Sequence, residues 1–198
     1  MAEGKKEVKT AVTPLFRASF VDGMFNKKQF GEGKPKFGLT ALWRPAQFTD
    51  AEKKLWAVMG ELADEASMAL HKKRVKDLPA NFKKPVRDGL EKEHLDGYGA
   101  GVKFANMTSL QKPGLVDRNK KTITDQELFY AGCYARALVT AYAYDKNGGK
   151  GVAFGLVNVQ KVKDGEPFSF HISAEESFDD DLGPEEEGAA SSSGEEPF

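Results

Sequence analysis

Residues 132–162, "GCYARALVTAYAYDKNGGKGVAFGLVNVQKV", constrain the fold more than any other stretch. In the first half, small Ala135, Ala137, Ala141 and Ala143 alternate with Tyr134, Arg136, Leu138, Tyr142 and Tyr144. A period of two is the signature of a strand. Small residues along one face fit tight packing in a curved sheet. "KNGG" (Lys146–Gly149) supplies the positive φ angles that a hairpin turn needs. The second arm then runs to Val162, and Gly155 inside it marks a bulge or sharp bend.

The remaining strands are shorter. "VTPLFRASFV" (Val12–Val21) is rich in β-formers, with Pro14 near its start. "FGLTALW" (Phe37–Trp43) places Phe37, Leu39, Ala41 and Trp43 on one face. "YGAGVKFANMTS" (Tyr98–Ser109) reads as a third strand. Between the second and third strands, "TDAE" (Thr49–Glu52) fits a capping box. Leu55, Met59, Leu62, Ala66 and Leu70 follow at helical spacing, so a helix is expected from Asp50 to about Lys73. Trp43, Trp56 and Tyr142 are expected in the core. Long Lys-rich connections join these elements at 26–36, 71–97 and 111–124.

Five strands, one long amphipathic helix and basic loops indicate a mainly β, five-stranded barrel like the oligonucleotide/oligosaccharide-binding (OB) fold. In that fold the helix commonly lies between the third and fourth strands. Here it falls one connection earlier, which suggests an embellished barrel. With 198 residues there is room for one core plus extensions. The expected division is a flexible basic arm at 1–11, one domain at 12–174, and a disordered acidic tail at 175–198.

Charge supports that division. Residues 175–198 hold 10 of the 30 acidic residues and none of the 29 basic ones, so the body carries about +9 and the tail −10. A basic body suggests a polyanionic partner, and the tail could serve solubility or engage basic surfaces. No apolar run approaches the ~20 residues of a membrane span. "MAEGKKEVKT" lacks the apolar stretch of a secretory signal. Cys133 is the single cysteine, which excludes an internal disulfide and fits a cytoplasmic setting.

Catalytic signatures are missing. His71, His94 and His171 are scattered and have no cysteine pair beside them, so no zinc site is expected. Cys133 reads as a small buried residue. "GEGKPK" (Gly31–Lys36) lacks the spacing of a phosphate loop. Asp88, Asp96 and Asp117 could hold a nuclease metal, but aspartates near Gly or Pro usually serve turns. No cofactor or metal is expected, and the chain reads as a binding protein, not an enzyme.

What remains is basic residues interleaved with aromatics. Lys34, Lys36 and Phe37 come together, then Lys83, Lys84 and Arg87, then Tyr98, Lys103 and Phe104. The cations suit phosphates, and Tyr98 and Phe104 are expected to stack bases. Duplex DNA hides its base faces, so the mixture favours single strands. RNA and duplex binding remain alternatives, since long basic loops could touch duplex phosphates.

The block "FYAGCYARALVTAYAYDKNGGKGVAFGLVNVQKVKDGEPF" (Phe129–Phe168), with "KPVRDG" and "GYGAGVKFAN" upstream, resembles tailed-phage single-stranded DNA-binding proteins. The similarity spans most of 12–170. It implies an OB barrel that coats and protects single strands, without sequence specificity, during phage replication and recombination in the cytoplasm of the infected host. The ending Glu195, Glu196, Pro197 and Phe198 is similar to the acidic tails of bacterial and short-tailed-phage single-stranded DNA-binding proteins. That likeness implies recruitment of replication or recombination proteins and competition with DNA for the basic groove. A homo-oligomer is compatible with the sequence.

Overall fold

The computed structural model describes residues 8–29, 34–146 and 149–168. Along them run β1 (Ala11–Val12), β2 (Phe16–Ser19), β3 (Phe37–Trp43), α1 (Asp50–His71), β4 (Arg87–Asp88), β5 (Lys103–Ser109), β6 (Gly114–Val116), β7 (Tyr134–Lys146) and β8 (Gly149–Lys163). Five of the strands close a ring. β2 pairs with β3, β3 with β5, β5 with β8, β8 with β7, and β7 again with β2. Every pairing in the ring is antiparallel except β5 with β8, which is parallel through Met107↔Phe154 and Thr108↔Gly155. This is the connectivity of a five-stranded OB barrel. β1 extends β2 along β7, β6 continues beyond β5 along β8, and β4 adds to β5.

The alternation read in the sequence decides what lies inside. Ala135, Ala137 and Val139 of β7 point inward with Leu39, Ala41, Trp43, Ala105, Met107 and Phe154. α1 packs against β7, β1 and β8 and contributes Met59, Leu62 and Ala63 to the same core. The alanines of β7 let the helix approach closely. Its start is the expected capping box: the Thr49 hydroxyl accepts from the Glu52 N–H, and the Glu52 carboxylate accepts from the Thr49 N–H. Trp43 sits edge-on to Phe16 and Trp56, with centroids 5.8 and 5.2 Å away.

Three expectations need correction. The third strand begins at Lys103, not Tyr98, because Gly97, Gly99 and Gly101 take φ values of 82°, 116° and 75°. Tyr142 is 40% exposed rather than core; it alternates with Ala141 and Ala143 and therefore faces outward. Gly155 is not the bulge. It pairs in register with Thr140, and the slip falls beyond it, where Val157 is left over between the Val139↔Leu156 and Leu138↔Asn158 pairs. Gly155 instead permits close approach, since a Cβ there would lie 2.4 Å from Thr140 Oγ1.

The chain after β8 folds back across the barrel end. Arg17 Nε donates to Gly132 O at 2.9 Å, and its guanidinium also donates to Glu166 O. The Arg17 guanidinium carbon lies 4.3 Å from the centre of the Phe168 ring, and Phe168 N–H donates to Ala131 O at 3.0 Å. The expected acidic tail lies outside the described residues.

Candidate nucleic-acid interface

The register of β3 against β5 lays out the site. On the outer face, the Cα partners are Gly38 with Thr108, Thr40 with Asn106, and Leu42 with Phe104. The Leu42–Phe104 end is roofed by residues 87–102. Leu42, Tyr98, Val102 and Phe104 form a second buried cluster. Two cations cap it. The Arg87 guanidinium carbon is 4.5 Å from the Phe104 ring centre, and Lys92 Nζ is 5.0, 5.2 and 5.6 Å from the rings of Phe20, Phe104 and Tyr98.

The Gly38–Asn106 end is open and floors a groove of about 1120 Å³. Phe20, Asp22, Lys28 and Lys36 of the β2–β3 connection line one side. Tyr142, Tyr144 and Lys146 of β7 line another, and Lys92 reaches in from the roof. Phe20 is 55% exposed and holds φ 53° and ψ 42°, a left-handed conformation that bulky residues rarely adopt. Its ring also borders a smaller apolar cavity lined by Phe25, Phe129, Tyr130 and Phe168.

The electrostatics favour an anion. Four lysines (Lys28, Lys36, Lys92 and Lys146) face two carboxylates, Asp22 and Asp145. Both carboxylates are engaged. Asp22 pairs with Lys28 and accepts from Asn26 Nδ2 at 3.0 Å, and these bonds hold its pKa below the usual carboxylate value. Asp145 pairs with Lys150 at 2.9 Å. Burial lowers the Lys92 pKa, with Arg87 adding to the effect; a phosphate nearby would act the opposite way. Burial raises the Tyr98 phenol, and burial with Tyr142 nearby raises Tyr144.

The candidate residues from the sequence divide by position. Lys36 lines the groove, Lys34 is exposed on the same loop, and half-buried Phe37 carries Lys27 Nζ 5.4 Å above its ring. Lys83 and Lys84 are exposed beside the hairpin: Lys83 N–H donates to Lys150 O, and Val152 N–H donates to Lys83 O. Arg87 belongs to the roof and pairs with Glu91 at 3.2 Å, while Lys103, the first residue of β5, ties the roof down by pairing with Asp88 at 2.6 Å. Tyr98 and Phe104 are 8% and 0% exposed. Burial leaves neither ring a face for a base, which corrects their expected stacking role. Glu195, Glu196, Pro197 and Phe198 lie outside the described residues.

Two of the three aspartates read as possible metal ligands, Asp88 and Asp117, are engaged by backbone amides. Asp88 accepts from Leu90 N–H, and Asp117 accepts from Asn119 and Lys121 N–H, so both serve turns. Among the described residues, no three His, Cys, Asp or Glu side chains are grouped to hold a metal. Cys133 is buried, and burial pushes its thiol up to about 11.

The sequence reading missed Phe20, Tyr142, Tyr144, Lys28, Lys92 and Lys146, along with the floor residues Thr40 and Asn106. A signal existed for the tyrosines, because alternation with inward alanines places them outside. Phe20 carried none, since its exposure follows from a backbone angle.

Comparison with known proteins agrees with this architecture. The structure of the single-stranded DNA-binding protein from bacteriophage Enc34 in complex with ssDNA superposes with a TM-score of 0.66 at 18% identity, covering 81% of this chain and 89% of that one. The single-stranded DNA-binding protein of bacteriophage T7 superposes with a TM-score of 0.55 at 15% identity, over 93% and 100%. Protein p50 of Acyrthosiphon pisum secondary endosymbiont phage 1 is 41% identical over 104 residues, 52% of this chain. That match spans about half of p50, 55% of its length. Residues 7–189 match the family model described as Enterobacter phage Enc34, ssDNA-binding protein. The barrel, its open face and this match together place the chain in the Enc34 phage ssDNA-binding protein family.

Proposed function

We propose that the chain binds single-stranded DNA along the groove over β3 and β5, with little base specificity, and protects it during phage replication and recombination. The observation that carries this is the pairing of exposed rings with cations in one groove: Phe20 and Tyr142 beside Lys28, Lys36, Lys92 and Lys146. Rings can stack unpaired bases, and lysines can neutralise the phosphates that connect them. Lys34, Lys83 and Lys84 extend the basic surface, while Arg87 and Lys103 support the roof. The Enc34 relative solved with ssDNA shares the fold, which supports the same ligand class.

Residues 175–198 complete the proposal. Their charge of −10 makes them a competitor for the same cations. The resemblance of Glu195–Phe198 to bacterial and phage tails supports a second role in recruiting replication or recombination proteins, with Phe198 filling an apolar pocket.

Anisotropy of labelled oligo-dT, titrated at two salt concentrations, tests the reading. Intrinsic tryptophan fluorescence is a poor reporter because neither Trp43 nor Trp56 lines the groove. The expected result is micromolar or tighter affinity that falls steeply with salt, with oligo-U and duplex competing less well. If protein ending at residue 174 lacks salt-sensitive affinity for oligo-dT, the proposal fails. Clean degradation of the DNA with magnesium or manganese would replace it with a nuclease.

A further inference from the structure

The small cavity beside Phe20 gives the groove a side pocket. We infer that it takes one nucleobase turned out of the strand in the groove, whichever base that is. This inference rests on the single-strand reading above.

Phe20 and Asp22 line both spaces, so the cavity opens next to the groove. Its volume is about 600 Å³, within the ~300–1,000 Å³ range of small-molecule sites. Half-buried Phe25, Tyr130 and Phe168 line it beside the exposed Phe20 ring. The cations on two of these rings, Arg17 on Phe168 and Lys161 on Tyr130, are not part of the lining. Part-exposed rings gathered around one space suit a flat aromatic occupant. Enclosure among such side chains is how proteins hold a base that has left its stack.

Charge selects the base over the rest of the nucleotide. No Lys or Arg lines the cavity, whereas Asp22 and Asp96 do. A phosphate would be repelled there and is better placed with the cations outside: Lys28 pairs with Asp22, and Lys92 Nζ lies 5.0 Å from the Phe20 ring centre. Asp96 and Gln126 are exposed and line the cavity. Among the described residues, neither side chain has a hydrogen bond or ion pair within the protein, so both are left for an occupant. A carboxylate accepts from any N–H, and each of the four bases carries at least one N–H donor on its pairing edge. The pocket therefore makes no demand on base identity. The same carboxylates disfavour an acidic peptide as occupant.

The test uses full-length protein and the shortest oligo-dT that binds at full affinity, with a single abasic residue walked through each position. A minimal oligomer cannot slide to hide the gap. In the parent protein, a gap at each position whose base stacks should cost roughly fivefold or more. Ala131 and Gln126 line the cavity but not the groove. Ala131→Leu, which fills the cavity, should weaken the intact oligomer about as much as one of those gaps does. That one gap should then cost nothing further, while the others keep their cost. Gln126→Trp, at an exposed position, should cover the cavity with the same result. Lys36→Ala, in the groove, should instead weaken every oligomer by one factor. Abasic profiles identical in the parent, Ala131→Leu and Gln126→Trp overturn the assignment. Unchanged oligo-dT affinity in both variants also overturns it and leaves the cavity to a peptide partner. Failure of the parent to bind intact oligo-dT would instead overturn the single-strand reading.

Discussion

Phe20 concentrates the functional argument in one residue. A left-handed backbone costs a bulky side chain about 1–2 kcal/mol, yet the ring is 55% exposed and gives little back to the core. Strain retained without a packing return points to a contact with something else. Phe20→Ala should weaken oligo-dT binding by about 1–3 kcal/mol in anisotropy titrations and shift the melting temperature by no more than about 3 °C. A clear fall in melting temperature with unchanged affinity would make the ring structural. Three exposed aspartates set the acid limit. Asp22, Asp88 and Asp164 are held below the ordinary carboxyl value of 3.8, chiefly by hydrogen bonds from Lys28, Lys103 and Lys161. Depressed folded values mean that the unfolded chain binds more protons in acid. Their contribution is therefore full above 3.8 and disappears as pH falls through the folded values. Urea midpoints should be level from pH 7 to about 5 and fall below about 4, and Asp164→Asn should flatten that fall. At this scale the sequence was only half legible. Tyr142 was readable as outward from its alanine neighbours, but burial of Tyr98 and Phe104 was not, because it depends on residues 87–102 folding over them.

Elements specified by local signals came through best. The capping box marked the first residue of α1, the alternation marked β3 from Phe37 to Trp43, and the small-residue pattern marked the hairpin. The roof over Leu42 and Phe104 has no such periodicity. Its two-residue β4 and short turns are held by contacts with β5, so their shape is set by distant residues. Thr49→Ala should lower unfolding free energy by about 1 kcal/mol in urea titrations. Gly132→Ala should cost more, about 2 kcal/mol or above, since Gly132 has φ 104° and an added Cβ would lie 2.1 Å from Glu166 O. That substitution should also loosen the Arg17 hold on the chain leaving β8, visible as faster proteolysis after Lys163. A Gly132→Ala protein as stable as the parent would mean that this crossing can relax without loss.

Across the whole molecule, the opposed charges of body and tail dominate. Removing 175–198 leaves a body of about +9, so oligo-dT affinity should rise and its dependence on salt should steepen. Unchanged affinity would exclude the tail as a competitor. Replacing Lys83 and Lys84 together by Glu should lower affinity and reduce the slope of log affinity against log salt by about 1–2; an unchanged slope would remove that loop from the DNA path. The net charge was legible from composition, but where the cations gather was not, because Lys28, Lys36, Lys92 and Lys146 come from three separate parts of the chain. The anchorage of Phe168 bears on how such a protein responds to dilution. Phe168, the last described residue, borders the same small cavity as Phe20, so the described chain ends beside the groove. A competitor rooted there acts at a local concentration fixed by its tether, of millimolar order. If the tail competes as proposed, diluting the protein slows its encounters with DNA but leaves the self-occupied fraction of grooves constant. The tail would then scale apparent affinity by one constant factor, whether the protein is scarce early in infection or abundant later.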